Sequence, residues 1–376
     1  MQKLQRRDGK AKVVFIASFV FVCVFTLSPF LFQAVHAQNV SHPFQVFVDL
    51  DVDNAGLDRV IFLDVVTGEQ TDALIDGERY TLLADRLMYR DRTSDQIMLI
   101  TPDGRIEAHP FMQKPQGARR IDWLLSPDKT RLAWTITGGT PDALTTQTFT
   151  ADVNGVVIRD VLTDGARGGI RAYPVAFNPD HSVLYLDYTP DAIGEFAPLR
   201  QYAGLFGVDI ATGQIIELPG EPGCFCGAGF GAHQFVRLTL AGGLNGFDVR
   251  LVDLRTRSER MIPSLNLINF TQSGDVIISP NGQYAVYTLA QIRGFGTPGQ
   301  TIQSVFVRVD MLSGTQQVLT QPANSLFRPV AWTDQNRALF VTSPALNGTW
   351  KVDLAGGDLQ RIAASAYLGE ITSGSA

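Results

Sequence analysis

A unit of about fifty residues recurs through this chain and constrains its fold more than any other feature. One half of the unit is an apolar stretch, a tight turn and a second apolar stretch. It occurs as LLSPDKTRLAWT (124–135), AFNPDHSVLYLDY (176–188), IISPNGQYAVYT (277–288) and AWTDQNRALFVT (331–342), with a weaker copy, LLADRLMYR, at 82–90. Pro127 and Pro179 are 52 residues apart, Pro179 and Pro280 are 101 apart, and Thr333 follows 53 after Pro280. The other half ends in a glycine turn, at Asp64–Gly68, Thr101–Gly104, Asp152–Gly155, Asp209–Gly213, Asp310–Gly314 and Asp353–Gly357. Asp253–Arg257 is a degenerate copy with arginine in the glycine position. The copies recur about every 48 residues between Gly68 and Gly357.

The segments between these turns are short and rich in Val, Ile, Leu, Phe and Tyr, the composition of strands, while Gly, Asn and Asp supply the turns. No stretch after residue 37 holds helical periodicity for three turns. Units of 40–55 residues with four strands each are the blades of a β-propeller. The expected fold is therefore all-β, a single propeller over residues 38–376 whose seven turn copies predict seven blades of four antiparallel strands. Six or eight stay open, because the units at 44–75 and 228–265 are irregular. The tail at 367–373 is expected to close the ring on the first blade. Trp123, Trp134, Trp332 and Trp350 fall at strand positions and are read as packing between blades.

LSPDKTRLAW and ISPNGQYAVY resemble the SPDG-x-x-LAF repeat of TolB-like propellers, relatives of the tryptophan-aspartate repeats, and the resemblance covers about 81–364. It implies the fold and not the function. TolB carries an additional N-terminal α/β domain that is not found here, so its partners are not carried over. Dipeptidyl-peptidase-like enzymes carry similar propellers. The chain has no G-x-S-x-G elbow, which disfavours a serine peptidase of that kind.

The formal charge of −6 hides an asymmetry. Residues 1–37 carry +4 and the remainder −10. Lys3 to Lys12 precede an uncharged run, 13–35, with Ala37 ahead of a cleavable position. This is the pattern of a secretory signal, and the run is also long enough for a membrane anchor. The domain is thus expected outside the cytoplasm, secreted, periplasmic or on the surface, touching membrane only through 13–35. An acidic domain without basic clusters is a poor nucleic-acid binder. Apart from Cys23 inside the signal, Cys224 and Cys226 stand as a close pair suited to a disulfide in an oxidising compartment.

In a four-strand meander, the first and third turns share one end of the sheet. The SPD and glycine turns are both tight, so the longer connections collect at the other end. These are expected at 137–144, 163–173, 189–201, 219–233 and 290–301. Long loops on a rigid scaffold are where binding concentrates. A binding or scaffolding module that takes a protein, peptide or glycan partner is the leading expectation, with Arg200, Tyr202, Phe225, Arg293 and Phe295 as contacts. The alternative is a propeller hydrolase or lactonase using His233, Glu195 and Asp191 near the central channel. Asp49, Asp51, Asp53 and Asp58 place oxygens at alternate positions and could serve calcium. The competing reading is a strand whose Val48, Leu50 and Val52 face inward. No other cofactor is expected.

Overall fold

The computed structural model describes residues 42–192, 199–221, 224–242, 246–294, 296–334, 337–342 and 346–372. The segment 1–37, with the signal or anchor expectation and Cys23, lies outside the described residues, as do Glu195 and Phe295. Among the described residues every regular element is a strand, numbered β1 to β27 in chain order.

Five sheets have four strands each, consecutive in sequence and antiparallel. They are β4 (Gly77–Leu82) to β7 (Ile106–Ala108), β8 (Arg120–Leu125) to β11 (Arg159–Arg167), and β12 (Ile170–Phe177) to β15 (Ile215–Glu217). The other two are β16 (Ala228–Phe230) to β19 (Glu259–Ile262) and β20 (Gln272–Ile278) to β23 (Thr315–Val318). The sixth sheet has seven strands, in the order β24 (Phe327–Asp334), β25 (Arg337–Thr342), β26 (Asn347–Asp353), β27 (Gln360–Thr372), β1 (Pro43–Val52), β2 (Leu57–Asp64) and β3 (Gln70–Ile75). Its hinge is the 13-residue β27. The first half of β27 pairs with β26 between Gln360 and Ser365, and the second pairs with β1 between Ala366 and Thr372. The C-terminal strand is thereby stitched to the N-terminal one, as expected of the 367–373 tail. The architecture is a β-propeller.

The sheets stack through apolar faces. Val46, Val48 and Phe62 of the seven-stranded sheet pack with Leu87, Tyr89 and Ile100 of the next. Val236, Leu238 and Val249 meet Tyr287, Val305 and Val307 across another junction. Each such side chain, fully removed from water, contributes roughly 1.5–3 kcal/mol. Trp123 and Trp134 are buried in one of these layers, and Trp332 and Trp350 pack against another.

The repeat has a local cause. In the third turn the leading aspartate accepts backbone N–H groups two and three residues on, as Asp64 does from Val66 and Thr67 and Asp310 from Leu312 and Ser313. The chain then turns through a left-handed residue: Gly68, Gly104, Gly155, Gly213, Gly314 and Gly356 have φ between 72° and 94°. Arg257 holds the same conformation at φ 59° without glycine's freedom. An L-residue there costs about 1–2 kcal/mol, partly offset by the unfolded-chain entropy that glycine adds. Arg257→Gly is therefore expected to stabilise the protein by about 0.5–1 kcal/mol. Urea unfolding checks this, and no gain in midpoint would mean that the Arg257 contact with the Glu217 carbonyl outweighs the strain.

Two of the expected loops are strand instead. β9 (Arg131–Thr140) and β10 (Ala143–Asp152), ten residues each, form a hairpin closed by Pro141 and Asp142, replacing the loop at 137–144. The segment 163–173 is the end of β11 and the start of β12, joined through Gly168 and Gly169. Threonine is common in this hairpin, and its β-branch suits extended backbone. Of the other three expected loops, 189–201, 219–233 and 290–301, the described residues 191–192, 199–201, 219–221, 224–227, 231–233, 294 and 296–300 stand outside the strands, whereas 189–190, 228–230, 290–293 and 301 belong to them.

Candidate anion-binding site at the start of the inner strands

The first strand of each sheet is the inner one. β8 packs on β12, β16 on β20, β20 on β24, and β27 on β4. Several inner strands carry an extra residue relative to their partner: register shifts occur in β4 between Glu78 and Thr81, in β12 between Pro174 and Ala176, and in β20 between Gly274 and Ile277. A bulge of this kind re-aims side chains. Arg79 and Asp275 occupy two of the bulges with φ of 58° and 54°. Left-handed backbone at non-glycine residues is strained and gathers at functional sites.

Charged side chains fill the starts of these strands, at the end of the sheets that carries the longer connections. Asp122 on β8 is buried and takes Arg171 Nη1 at 2.6 Å, Arg79 Nη1 at 2.9 Å and Arg120 Nε at 3.4 Å. Burial alone would raise its carboxyl, but the Arg79, Arg171 and Arg120 guanidiniums outweigh that and hold it below the usual range. Asp191 begins the β13–β14 connection, β13 being Val183–Pro190 and β14 Leu205–Asp209. It meets Arg119 Nη2 at 3.0 Å, Arg171 Nε at 3.2 Å and Arg120 Nη1 at 3.6 Å. Arg79 also lies over Trp123, and Arg171 over Tyr173, as cation–π contacts.

A second group sits on β20 and β24. Arg328 Nη2 is 3.0 Å from Asp275 Oδ1. Asp275 Oδ2 accepts the Arg200 backbone N–H at 3.0 Å, and the Asp275 N–H donates to the Arg200 carbonyl at 3.1 Å. Arg200 belongs to a strap, residues 199–204, that leaves its own sheet and crosses β16 and β20. Leu199 packs with Ala290, Ile302 and Leu326, Gln201 Nε2 donates to the Ser273 carbonyl, and Tyr202 forms an antiparallel bridge with Cys226. Gly274 allows the crossing, because a Cβ there would stand 2.8 Å from the Arg200 carbonyl oxygen and from Leu199 Cβ. The strap ends where the Ala203 and Gly204 N–H groups donate to the buried Asp187 on β13. Burial pushes Asp187 up to about 7 despite those two donors and nearby Arg237.

Cys224 and Cys226 are joined in a disulfide beneath the strap. Their loop rests on fully buried Arg237, which is paired with Glu221 at 2.6 Å and donates to the carbonyls of Cys226 at 2.7 Å, Cys224 at 2.9 Å and Tyr202 at 3.1 Å.

The expected contacts are divided by this geometry. Arg200 is exposed, Phe225 is 37% exposed on the disulfide loop, and Arg293 is exposed at the end of β21 (Tyr284–Arg293). Tyr202 is 4% exposed and is a correction: its ring is buried in the layer of Tyr185, Leu205 and Phe235, so it offers no free surface. Of the expected catalytic set, Glu195 lies outside the described residues, and His233 and Asp191 are not brought together. His233 is in the tight turn between β16 and β17 (Gln234–Leu240), the end of the sheets opposite Asp191. Asp191 itself is occupied by arginines. Nor do the four aspartates of the β1–β2 turn gather. Asp51 and Asp53 are exposed, Asp49 is partly buried, and Asp58 is buried against Arg92 and Tyr80. Among the described residues no group of three or more His, Cys, Asp or Glu is placed to hold a metal.

Arg79, Arg119, Arg120, Asp122, Arg171, Asp275 and Arg328 escaped the sequence reading. A signal existed: Arg120, Arg171, Asp275 and Arg328 lie five to eight residues ahead of Pro127, Pro179, Pro280 and Thr333. Charged residues recur at that position where an inner strand begins, and a search confined to loops passes over them. In total, the guanidiniums of Arg79, Arg119, Arg120, Arg171 and Arg328 face the carboxylates of Asp122, Asp191 and Asp275, while Arg200 meets Asp275 through its backbone N–H and leaves its side chain exposed. This is an excess of positive charge on a chain whose formal charge is −6.

No protein-family profile matches the chain, and no curated protein matches it in sequence. Solved structures do resemble it. A putative 6-phosphogluconolactonase from Bacteroides fragilis aligns at 13% identity over 88% of this chain and 98% of that one, with a TM-score of 0.51. A prolyl endopeptidase aligns at 11% identity over 86% of this chain and 50% of that one, with a TM-score of 0.53. TolB from Acinetobacter baumannii aligns at 15% identity over 75% of this chain and 64% of that one, with a TM-score of 0.43. The chain thus spans half of the endopeptidase and less than two thirds of TolB. At such identities the likeness concerns the fold, and the fold is a β-propeller.

Proposed function

We propose that this chain is an exported binding module whose ring of inner strands takes an anionic group of a partner at the long-connection end. The observation that carries this reading is local: five arginines, Arg79, Arg119, Arg120, Arg171 and Arg328, surround the three carboxylates of Asp122, Asp191 and Asp275, with exposed Arg200 beside them, whereas the acidic residues of the β1–β2 turn stand elsewhere on the ring. Preorganised guanidiniums in a partly desolvated recess bind carboxylates through charge-assisted hydrogen bonds. The signal-like segment before residue 38 and the Cys224–Cys226 disulfide support a location outside the cytoplasm. The blade count belongs to the same reading. Taking β27 as the outer strand of one blade and the inner strand of the next divides the seven-stranded sheet in two and makes seven blades.

The test is capture of a partner from envelope and secreted extract of the source organism. Immobilised protein is expected to retain a partner that the Arg119→Ala/Arg200→Ala variant loses, with unchanged melting temperature. Arg105→Ala, on an exposed glycine turn at the other end, should capture normally. Equal capture by all three, or capture by none, would overturn the proposal.

A further inference from the structure

We infer that the anionic group is carried by an extended acidic peptide, bound alongside the 199–204 strap. This rests on the binding role proposed above and adds the chemical class of the ligand.

The first support is that this end of the ring already holds an extended chain. The strap is seated by the Asp275 N–H on the Arg200 carbonyl, by the Arg200 N–H on the Asp275 carboxylate, by the antiparallel bridge of Tyr202 with Cys226, and by the Gln201 side chain on the Ser273 carbonyl. A surface that accepts one extended segment through main-chain hydrogen bonds suits a second, because pairing of this type depends on the backbone and not on a particular side chain.

The second support is the distribution of charge. The arginines form two groups, one around Asp122 and Asp191 and one around Asp275, on inner strands separated by β16. Tyr173 lies under Arg171 and packs in the same apolar layer as Tyr202 of the strap, so the two groups adjoin. A single small anion reaches one group, whereas carboxylates spaced along a chain reach both. Between the groups, exposed Phe225 beside the strap's bridge to Cys226 offers an apolar contact that a polypeptide can use.

The experiment is fluorescence anisotropy on the full chain with three probes: a labelled peptide of alternating glutamate and alanine, a labelled oligogalacturonate of equal charge, and inorganic phosphate as competitor. Expected results are peptide binding at least tenfold tighter than the glycan, tenfold weakening by either Arg119→Ala or Arg200→Ala, and larger loss in the double variant. Phosphate should displace the peptide only at high concentration. Glycan binding as tight as peptide binding, lost in the same variants, would overturn the peptide inference and leave the anion site standing. Peptide binding indifferent to both variants, or no binding of any probe, would overturn the inference. Partner capture that is still lost in the Arg119→Ala/Arg200→Ala variant would show that only the ligand class was wrong.

Discussion

Arg237→Met should lower the stability of the protein by about 3–5 kcal/mol, the range found when one partner of a buried ion pair is removed. In a domain of this size that corresponds to a fall in melting temperature on the order of 10 °C. The reason is local. Arg237 is fully buried, and its guanidinium satisfies Glu221 together with the carbonyls of Cys224, Cys226 and Tyr202. Methionine fills similar volume but removes the guanidinium from the buried Glu221 carboxylate and the side-chain donors from the carbonyls of Cys224 and Tyr202, while the Cys226 carbonyl keeps only the Tyr202 N–H. Adding Glu221→Gln to Arg237→Met should recover part of the loss, since a buried carboxylate that has lost its counter-charge becomes a neutral amide while the Cys224 and Tyr202 carbonyls still lack the arginine donor. Differential scanning calorimetry on the wild type, both single variants and the double variant gives the coupling. A shift of under 2 °C for Arg237→Met would show that water satisfies those carbonyls and that the disulfide loop needs no such post. The same variant should also weaken ligand binding, because the Tyr202 carbonyl held by Arg237 belongs to the strap that carries Arg200.

The division between what was legible in the sequence and what was not follows from the range of the interactions. The turns are local: Asp310 caps the N–H groups of Leu312 and Ser313, and Gly314 takes the left-handed conformation, all within five residues. Such patterns repeat in sequence because each solves the same short-range problem. The closing strand also lies where it was expected, since the tail at 367–373 was read as joining the first blade and β27 pairs with β1 there. The binding end is different. Arg79 meets Asp122 across 43 residues, Arg171 meets Asp122 across 49, and Arg200 is seated on Asp275 across 75. Nothing in the neighbourhood of Arg200 announces Asp275, and the bulge that turns Asp275 inward leaves only a glycine, Gly274, as its trace. Arg200 was reachable because it lies in a true loop. Tyr202, two residues on in the same loop, was misjudged because the strap bends rather than running as a regular strand: Leu199 and Tyr202, three apart, both turn inward while Arg200 stays exposed. His233 was misplaced because β16 is only three residues long, so the chain reaches the far end of the sheet sooner than the apparent loop length suggests.

Asp187→Asn should change the pH dependence of stability more than its value in acid. Burial holds the Asp187 carboxyl up to about 7 in the folded protein, against about 3.9 in an unfolded chain. A raised carboxyl pKa contributes stability that is fully present below the unfolded value and lost as pH rises through the folded one. Between pH 4 and 7 the unfolded chain releases a proton that the folded protein keeps, so folding grows less favourable, by at most about 4 kcal/mol for a displacement of this size. Asparagine retains an acceptor for the Ala203 and Gly204 N–H groups and has no proton to lose. The variant and the wild type should therefore be similar in stability at pH 4, and the variant should be ahead by about 2–4 kcal/mol at pH 8. Buried His109 acts in the opposite sense. Burial pushes its ring down to about 4 while Nδ1 accepts the Met112 N–H, so acid costs the protein stability there. That effect is common to both proteins and cancels in their difference. Urea unfolding of the pair from pH 4 to 8 isolates Asp187. A constant difference across the range would mean that the carboxylate is ionised throughout, its two backbone donors and Arg237 prevailing over burial. The consequence reaches the binding end, because Asp187 anchors the last turn of the strap that presents Arg200. Neutral Asp187 holds Ala203 and Gly204 through ordinary hydrogen bonds, and the ionised form holds them through stronger charge-assisted ones. The affinity for an acidic ligand should then depend on pH near 7 in the wild type and lose that dependence in Asp187→Asn.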